Sequence, residues 1–299
     1  MKEKLPKILV ILGPTSSGKS DLAIRVAKKF NGEIISCDSR QVYKGMDLGS
    51  GKVSRKERKE AKHYLLDVAS PKRQFSVAQF QEKAKKAIKK ILKKGKLPII
   101  CGGNWFWLKV LIEDIELPEV KPDFLLRKKL QKRSVEELYL ILKKIDLKRS
   151  REVEKNNKIR LIRSIEIILN SFEFPKIKKK RSYEILKVGI EVPFEKLKKL
   201  IFLRLQKRLR QGMIKEVKEL KKSGLSFKRI ENFGLEYKWI AFYFQGKIDF
   251  KKMKENLFKE NCRFARKQIN IFKKDKEIIW IRNFLEAEKT IKKWLKNCK

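Results

Sequence analysis

The stretch Gly13-Pro14-Thr15-Ser16-Ser17-Gly18-Lys19-Ser20 decides how the chain is read. It fits the pattern GxxxxGK[ST], and its surroundings agree: Lys7 to Leu12 predicts a buried strand before it, and Ser20 to Phe30 an amphipathic helix after it. The two glycines let backbone N–H groups approach phosphate oxygens, the helix N-terminus adds partial positive charge, and Lys19 adds a full one. All eight residues are therefore diphosphate- or nucleotide-binding candidates, with the Ser20 hydroxyl as the candidate Mg2+ ligand. A nucleoside triphosphate and an alkyl diphosphate present similar oxygens, so kinase, NTPase and diphosphate-dependent transferase all stay open.

Outward from the loop, short β-rich runs alternate with helical ones. Glu33 to Cys37 and Leu97 to Cys101 predict strands, and Ser76 to Lys94 a helix between them. This spacing predicts an α/β fold, a P-loop NTPase-like parallel sheet flanked by helices. Between Pro118 and Pro175 the strand signals vanish, and Ser134 with Glu137 forms a capping box that opens a helix. The expected organisation is a first part of the core over 1–117, a helical insertion over 118–180, and a return to the core with C-terminal helices over 181–299. In that last part Tyr183 to Val192 reads as a strand, and Leu197, Ile201, Leu205, Leu209, Met213 and Val217 mark one long helix. From about Arg229 onward the chain reads as helical.

Across 299 residues, 78 Lys and Arg face 35 Asp and Glu, a formal net charge of +43. Such an excess favours a polyanionic partner over a merely solvated surface, although the lysines are spread over almost every segment. Cys37, Cys101, Cys262 and Cys298 are too few and too far apart for a disulfide scaffold or a Cys-x-x-Cys zinc site. The run Ile8 to Leu12 is too short for a signal-peptide core, and no later run approaches a membrane span. Cys298, one position from the end, does not make a prenylation box. A soluble protein of the reducing cytoplasm, without a membrane partner, is expected.

Ligands of open α/β sheets bind beyond the carboxyl ends of the strands. The second strand delivers Asp38-Ser39-Arg40-Gln41 to that rim and the third delivers Gly102-Gly103-Asn104. Asp38 can serve as general base, as a metal ligand through water, or as a helix cap without chemistry; its place beside a complete phosphate loop favours chemistry. The only histidine, His63, reads as a hydrogen-bonded structural residue.

The blocks "GPTSSGKS", "IISCDSRQVYKGMDLGSGK", "KHYLLDV", "FSVAQFQ", "GKLPIICGGNWFWLKVLIED", "NNKIRLIRSIEI" and "FARKQINIF" occur in an order and at spacings that resemble the tRNA dimethylallyltransferases, also called tRNA isopentenyltransferases. The resemblance covers nearly the whole chain. It implies transfer of a dimethylallyl group from dimethylallyl diphosphate to N6 of the adenosine 3′-adjacent to the anticodon, on a tRNA anticodon stem-loop, by a monomer. It also implies that Gly13 to Ser20 hold the diphosphate with Mg2+ and that Asp38 takes the proton from N6. Arg204 occupies the family's arginine position on the long helix, where a merely solvated charge is the competing interpretation.

Reaching a base within an anticodon loop requires flipping or splaying it, at a cost of a few kcal/mol. Asp38, Ser39, Arg40 and Gln41 suit contacts to that base and its neighbour. The resemblance puts further tRNA contacts at Ile159-Arg160-Leu161-Ile162-Arg163 and at Arg127. It puts a basic helix at Phe264 to Gln268, expected to meet the phosphate backbone, with Cys262 where an arginine is usual. At the third strand end the family pattern Gly-Gly-Thr-Gly-Leu-Tyr is replaced by Gly102-Gly103-Asn104-Trp105-Phe106-Trp107. Asn104 is expected to keep the threonine's catalytic and tRNA-facing polar role, Trp105 to narrow the prenyl pocket or stack on the target adenine, and Trp107 to pack in the core.

Three rival functions differ in what they need. A small-molecule kinase or ATPase would use the loop for ATP, a prenyltransferase of free adenine nucleotides would not need the insertion, and a basic RNA chaperone would not need Gly18-Lys19-Ser20.

Overall fold

The computed structural model describes residues 5–171 and 182–296. The expected boundary at 180/181 and Cys298 lie outside the described residues. Along the chain run β1 (Lys7–Leu12), α1 (Lys19–Lys29), β2 (Gly32–Cys37), α2 (Arg55–Glu60), β3 (His63–Tyr64), α3 (Val77–Lys93), β4 (Leu97–Gly102) and α4 (Trp105–Ile112). Next come four helices, α5 (Phe124–Leu130), α6 (Val135–Ile145), α7 (Leu147–Glu152) and α8 (Lys158–Ser171). The remainder is β5 (Glu184–Ile190), α9 (Phe194–Arg210), α10 (Met213–Lys222), α11 (Phe227–Glu231), α12 (Leu235–Phe244), α13 (Phe250–Phe272), β6 (Ile278–Ile281) and α14 (Phe284–Lys296). Contacts divide the chain into two compact units, Met1–Asp114 with Arg181–Lys299 and Ile115–Lys180.

The larger unit is built on one parallel sheet of order β3-β2-β4-β1-β5-β6. β1 lies inside it, and its residues alternate between two cores: Ile8, Val10 and Leu12 on one face, Leu9 and Ile11 on the other. Burial on both faces explains why Ile-Leu-Val-Ile-Leu reads as an unbroken apolar run. Trp107 packs in the first core against Phe80 and Phe75, with ring centroids 4.7 and 5.9 Å away. β6 was not expected from sequence; four residues give too little alternation to separate a strand from the helical background.

The long helix expected from Leu197 to Val217 is two helices. Gly212, at φ 100, breaks the run and opens α10. The apolar spacing survives across the break because both helices cover the same core, so periodicity alone conceals it. One consequence positions the site: Glu216 of α10 accepts the backbone N–H groups of Asp47, Leu48 and Gly49 and the hydroxyl of Tyr237. This pins the loop after β2.

The smaller unit has its own core of Leu130, Leu138, Leu142, Val153, Leu161, Ile162, Ile165 and Ile168. Beside it lies Glu166, fully buried, which accepts the Nε and Nη2 groups of Arg127, both at 2.7 Å, the N–H of Asp123 at 2.7 Å, and Nη1 of Arg163. Burial alone would raise this carboxyl, yet the hydrogen bonds hold it below the ordinary range. Glu166→Ala removes the common acceptor of two guanidinium groups, so the smaller unit should lose about 2 kcal/mol. Urea unfolding followed by hydrogen exchange of α8 measures this; unchanged protection there would contradict it.

Candidate active site

The carboxyl ends of β1, β2 and β4 open into a cleft of about 1010 Å³ in the larger unit. Its floor is the loop at the end of β1, where Ser16 at φ 63 and Gly18 at φ 85 adopt left-handed backbone. Left-handed residues alternating with right-handed ones curl N–H groups into an anion-binding concavity, and a serine held there costs about 1 kcal/mol unless its surroundings hold it. Those surroundings are present. Ser17 N–H donates to Pro14 O at 3.2 Å, and the same carbonyl accepts Lys19 Nζ at 3.3 Å. Ser17 Oγ is buried against Gly13, outside the cleft lining, with no hydrogen-bond partner among the described residues.

Three cations surround this floor. Arg204 Nη1 donates to Thr15 Oγ1 at 3.2 Å and Ser16 Oγ at 3.4 Å, and Nη2 donates to Gly51 O at 3.4 Å. All three partners are uncharged, and the guanidinium lies against the loop in the cleft wall with no ion pair among the described residues. Arg208, one turn on, is paired with Glu236 at 3.1 Å. Burial, with Arg208 adding to it, pushes Arg204 down to about 10. Burial likewise pushes Lys19 down to about 8. Gly51 makes the arrangement possible: at φ 63 it has no Cβ, and one placed there would lie 2.0 Å from Arg204 Nη2 and 1.6 Å from Arg208 Nη2.

Across the cleft, Asp38 follows β2. Its Oδ1 accepts the N–H groups of Arg40 at 2.7 Å and Gln41 at 3.3 Å, while Oδ2 has no hydrogen bond among the described residues. No helix begins at Asp38, so the cap expected of it is a turn cap made by Oδ1, and Oδ2 is left to the cleft. Ser20 and Gly103 also line the cleft. His63, at its edge, donates Nδ1–H to Ala61 O at 2.8 Å and is held below its ordinary value by burial. It is a bonded structural residue, as expected.

Several sequence candidates do not meet there. Arg40 turns away to donate Nε–H to Phe233 O and rests near the Phe233 ring, and Ser39 is also outside the cleft lining. Gln41 lines the cleft, but its amide is committed, accepting Ser36 Oγ–H and donating to Gly51 O. Asn104 caps α4, its Oδ1 accepting Trp107 N–H at 3.3 Å, and Trp105 meets Phe272 edge-on at 6.0 Å; neither lines the cleft. The expected channel wall is thus the bare Gly102-Gly103 backbone, because the helix begins immediately after it, burying Trp107, setting Trp105 against Phe272 and leaving Phe106 exposed. In the smaller unit Leu161 and Ile162 face the core and Arg127 and Arg163 are paired with Glu166, which leaves Ile159 and Arg160 exposed. Of the basic helix, Phe264 and Gln268 line the cleft, and Cys262 packs against the cluster of Leu197, Ile201 and Ala265.

Sequence reasoning missed Gly51 and Arg208, and placed Gln268 in the basic helix without any role at the loop. A signal existed for two of them: Arg208 falls on the stripe Leu197, Ile201, Leu205, and Gln268 on the stripe Met253, Leu257, Ala265, Phe272, so each is a polar residue on a buried face.

The sheet, the loop after β1 and the cations around it define an open parallel α/β protein with a GxxxxGK[ST] loop at the rim of its cleft. The family described as "IPP transferase" matches residues 41–275. A tRNA dimethylallyltransferase of Acetivibrio thermocellus is 38% identical, with 96% of each chain covered. One of Caldicellulosiruptor saccharolyticus is 37% identical, with 99% of each covered. Among solved structures, the tRNA isopentenylpyrophosphate transferase of Bacillus halodurans superposes with a TM-score of 0.73 at 29% identity, covering 97% of this chain and 95% of that one. The chain belongs to the tRNA dimethylallyltransferase family, the IPP transferases.

Lys19 at about 8 against an ordinary 10.5 has a definite sign. A bound anion restores the charged form, so binding takes up protons between those two values. At pH 8 calorimetry of inorganic pyrophosphate in buffers of different ionisation enthalpy should register roughly half a proton more for the native protein than for Lys19→Arg. Equal uptake by both would contradict the assignment.

Proposed function

We propose that this protein transfers the dimethylallyl group of dimethylallyl diphosphate to N6 of the adenosine 3′-adjacent to the anticodon of tRNA. The observation that carries the reading is the opposition of unneutralised cations, Lys19 and Arg204, to an unoccupied carboxylate oxygen, Asp38 Oδ2, across one cleft. Family membership supplies the substrate classes.

In this reading the loop of residues 13–20 holds the diphosphate, with Thr15, Ser16, Gly18, Lys19 and Ser20 lining the cleft. An adenine amino group is a feeble nucleophile that becomes competent as its proton is accepted. The new N6–C1 bond forms as C1–O breaks; the electron pair leaves with pyrophosphate and the N6 proton passes to Asp38 Oδ2. Lys19, Arg204 and the loop amides stabilise the charge that accumulates on the leaving group. Magnesium fits the donor set as an ion brought in with the diphosphate: Ser20 offers a hydroxyl, and no group of three metal-ligating side chains exists among the described residues to make a protein-only cage. When bound it adds charge stabilisation of the pyrophosphate.

The tRNA anticodon stem-loop is the partner this reading requires, with Arg160 on the exposed start of α8 as its candidate contact in the smaller unit. Among the described residues no helix is long and apolar enough to cross a membrane, and Cys37, Cys101 and Cys262 are free thiols. The same reading makes the enzyme a cytoplasmic monomer.

Asp38→Asn keeps the turn acceptor and removes the base. Transfer of label from dimethylallyl diphosphate to unmodified tRNA should fall by about 10²- to 10⁴-fold, with pyrophosphate affinity changed by no more than about twofold. A full transfer rate in this variant would remove Asp38 from the chemistry.

A further inference from the structure

The phosphate loop is held from outside by one side chain of α13. Gln268 is 5% exposed and spans two strand ends. Its Oε1 accepts the N–H of Thr15 at 2.8 Å, and its Nε2 donates to the carbonyl of Gly103 at 2.9 Å. Both partners line the cleft, one after β1 and the other after β4. Acceptor and donor are both committed, so the amide has one orientation only.

The consequence passes through a single peptide plane. In a trans peptide the N–H of residue 15 and the C=O of residue 14 point in opposite directions. Fixing Thr15 N–H onto Gln268 therefore fixes the direction of the Pro14 carbonyl. That carbonyl accepts both Ser17 N–H and Lys19 Nζ. Gly103 is shaped to the same contact: a Cβ there would lie 2.3 Å from Gln268 Nε2, and no backbone atom is that close.

We propose that Gln268 is a positioning residue for the diphosphate site, which acts by locking the Pro14–Thr15 peptide and so the placement of the Lys19 ammonium and the loop amides. This rests on the phosphate-site reading given above. It makes the contribution of α13 one of loop geometry, distinct from the phosphate-backbone contact expected of its basic residues. Gln268 touches no reacting atom.

Binding of inorganic pyrophosphate with magnesium, measured by calorimetry, tests the inference separately from catalysis. Gln268→Ala should weaken pyrophosphate by at least about tenfold, because a mobile loop must be ordered on binding. It should raise the KM for dimethylallyl diphosphate in the same proportion and leave the KM for tRNA unchanged. Gly103→Ala leaves Gln268 in the sequence but displaces its amide, and should reproduce the loss; this keeps the test decisive if Gln268→Ala does not fold. Gln268→Glu retains the acceptor for Thr15 and sets a carboxylate oxygen against Gly103 O, so it should not rescue binding. Native-like pyrophosphate affinity in folded Gln268→Ala or in Gly103→Ala would overturn the proposal. No pyrophosphate binding by the native protein would overturn the phosphate-site reading and this inference with it.

Discussion

Two positive charges, on Lys19 and Arg204, line one cleft with no carboxylate paired to either among the described residues, and the surrounding structure tolerates that. Each is pushed toward neutrality by burial, to about 8 and about 10, and each is met only by neutral oxygens. An isolated ion taken from water costs several kcal/mol even after relaxation. A protein that carries two such groups is built to have them neutralised by something that arrives. Inorganic oxyanions and diphosphates meet that requirement, whereas a neutral ligand does not.

The fold accounts for how those charges stay in place. A doubly buried β1 fixes the start of the loop, α9 presents Arg204 and Arg208 one turn apart, and Gly51 leaves room for both guanidinium groups. The loop that carries Gly51 is tied to α10 through Glu216 and to β2 through Gln41. Asp38 is held by the turn it caps, which points one carboxylate oxygen at backbone and leaves the other to the cleft. The loop after β1 and Gly51 are supported by elements far away in sequence and Asp38 by its own turn, so the site depends on the packing of the larger unit.

That dependence explains what could be read in advance. The phosphate loop and its flanking strand and helix were legible because local pattern and chemistry coincide in one segment. Asp38 could be placed on the rim of the cleft from its position at a strand end beside that loop. Trp105 and Asn104 were misplaced toward the cleft because nothing local says that a helix starts at Trp105 and turns both residues to structural duty. Arg127 and Arg163 looked like nucleic-acid contacts until buried Glu166, thirty-nine residues from the first and three from the second, supplied their partner. Gln268 and Gly51 act through contacts that cross the whole chain, and one sequence carries no trace of which pairs meet.

Native protein with magnesium and labelled dimethylallyl diphosphate is offered two unmodified tRNAs that differ only in having adenosine or guanosine 3′-adjacent to the anticodon. The account predicts label on N6 of that adenosine and none on the guanosine tRNA. Equal labelling of both, or label only on free AMP, would contradict it.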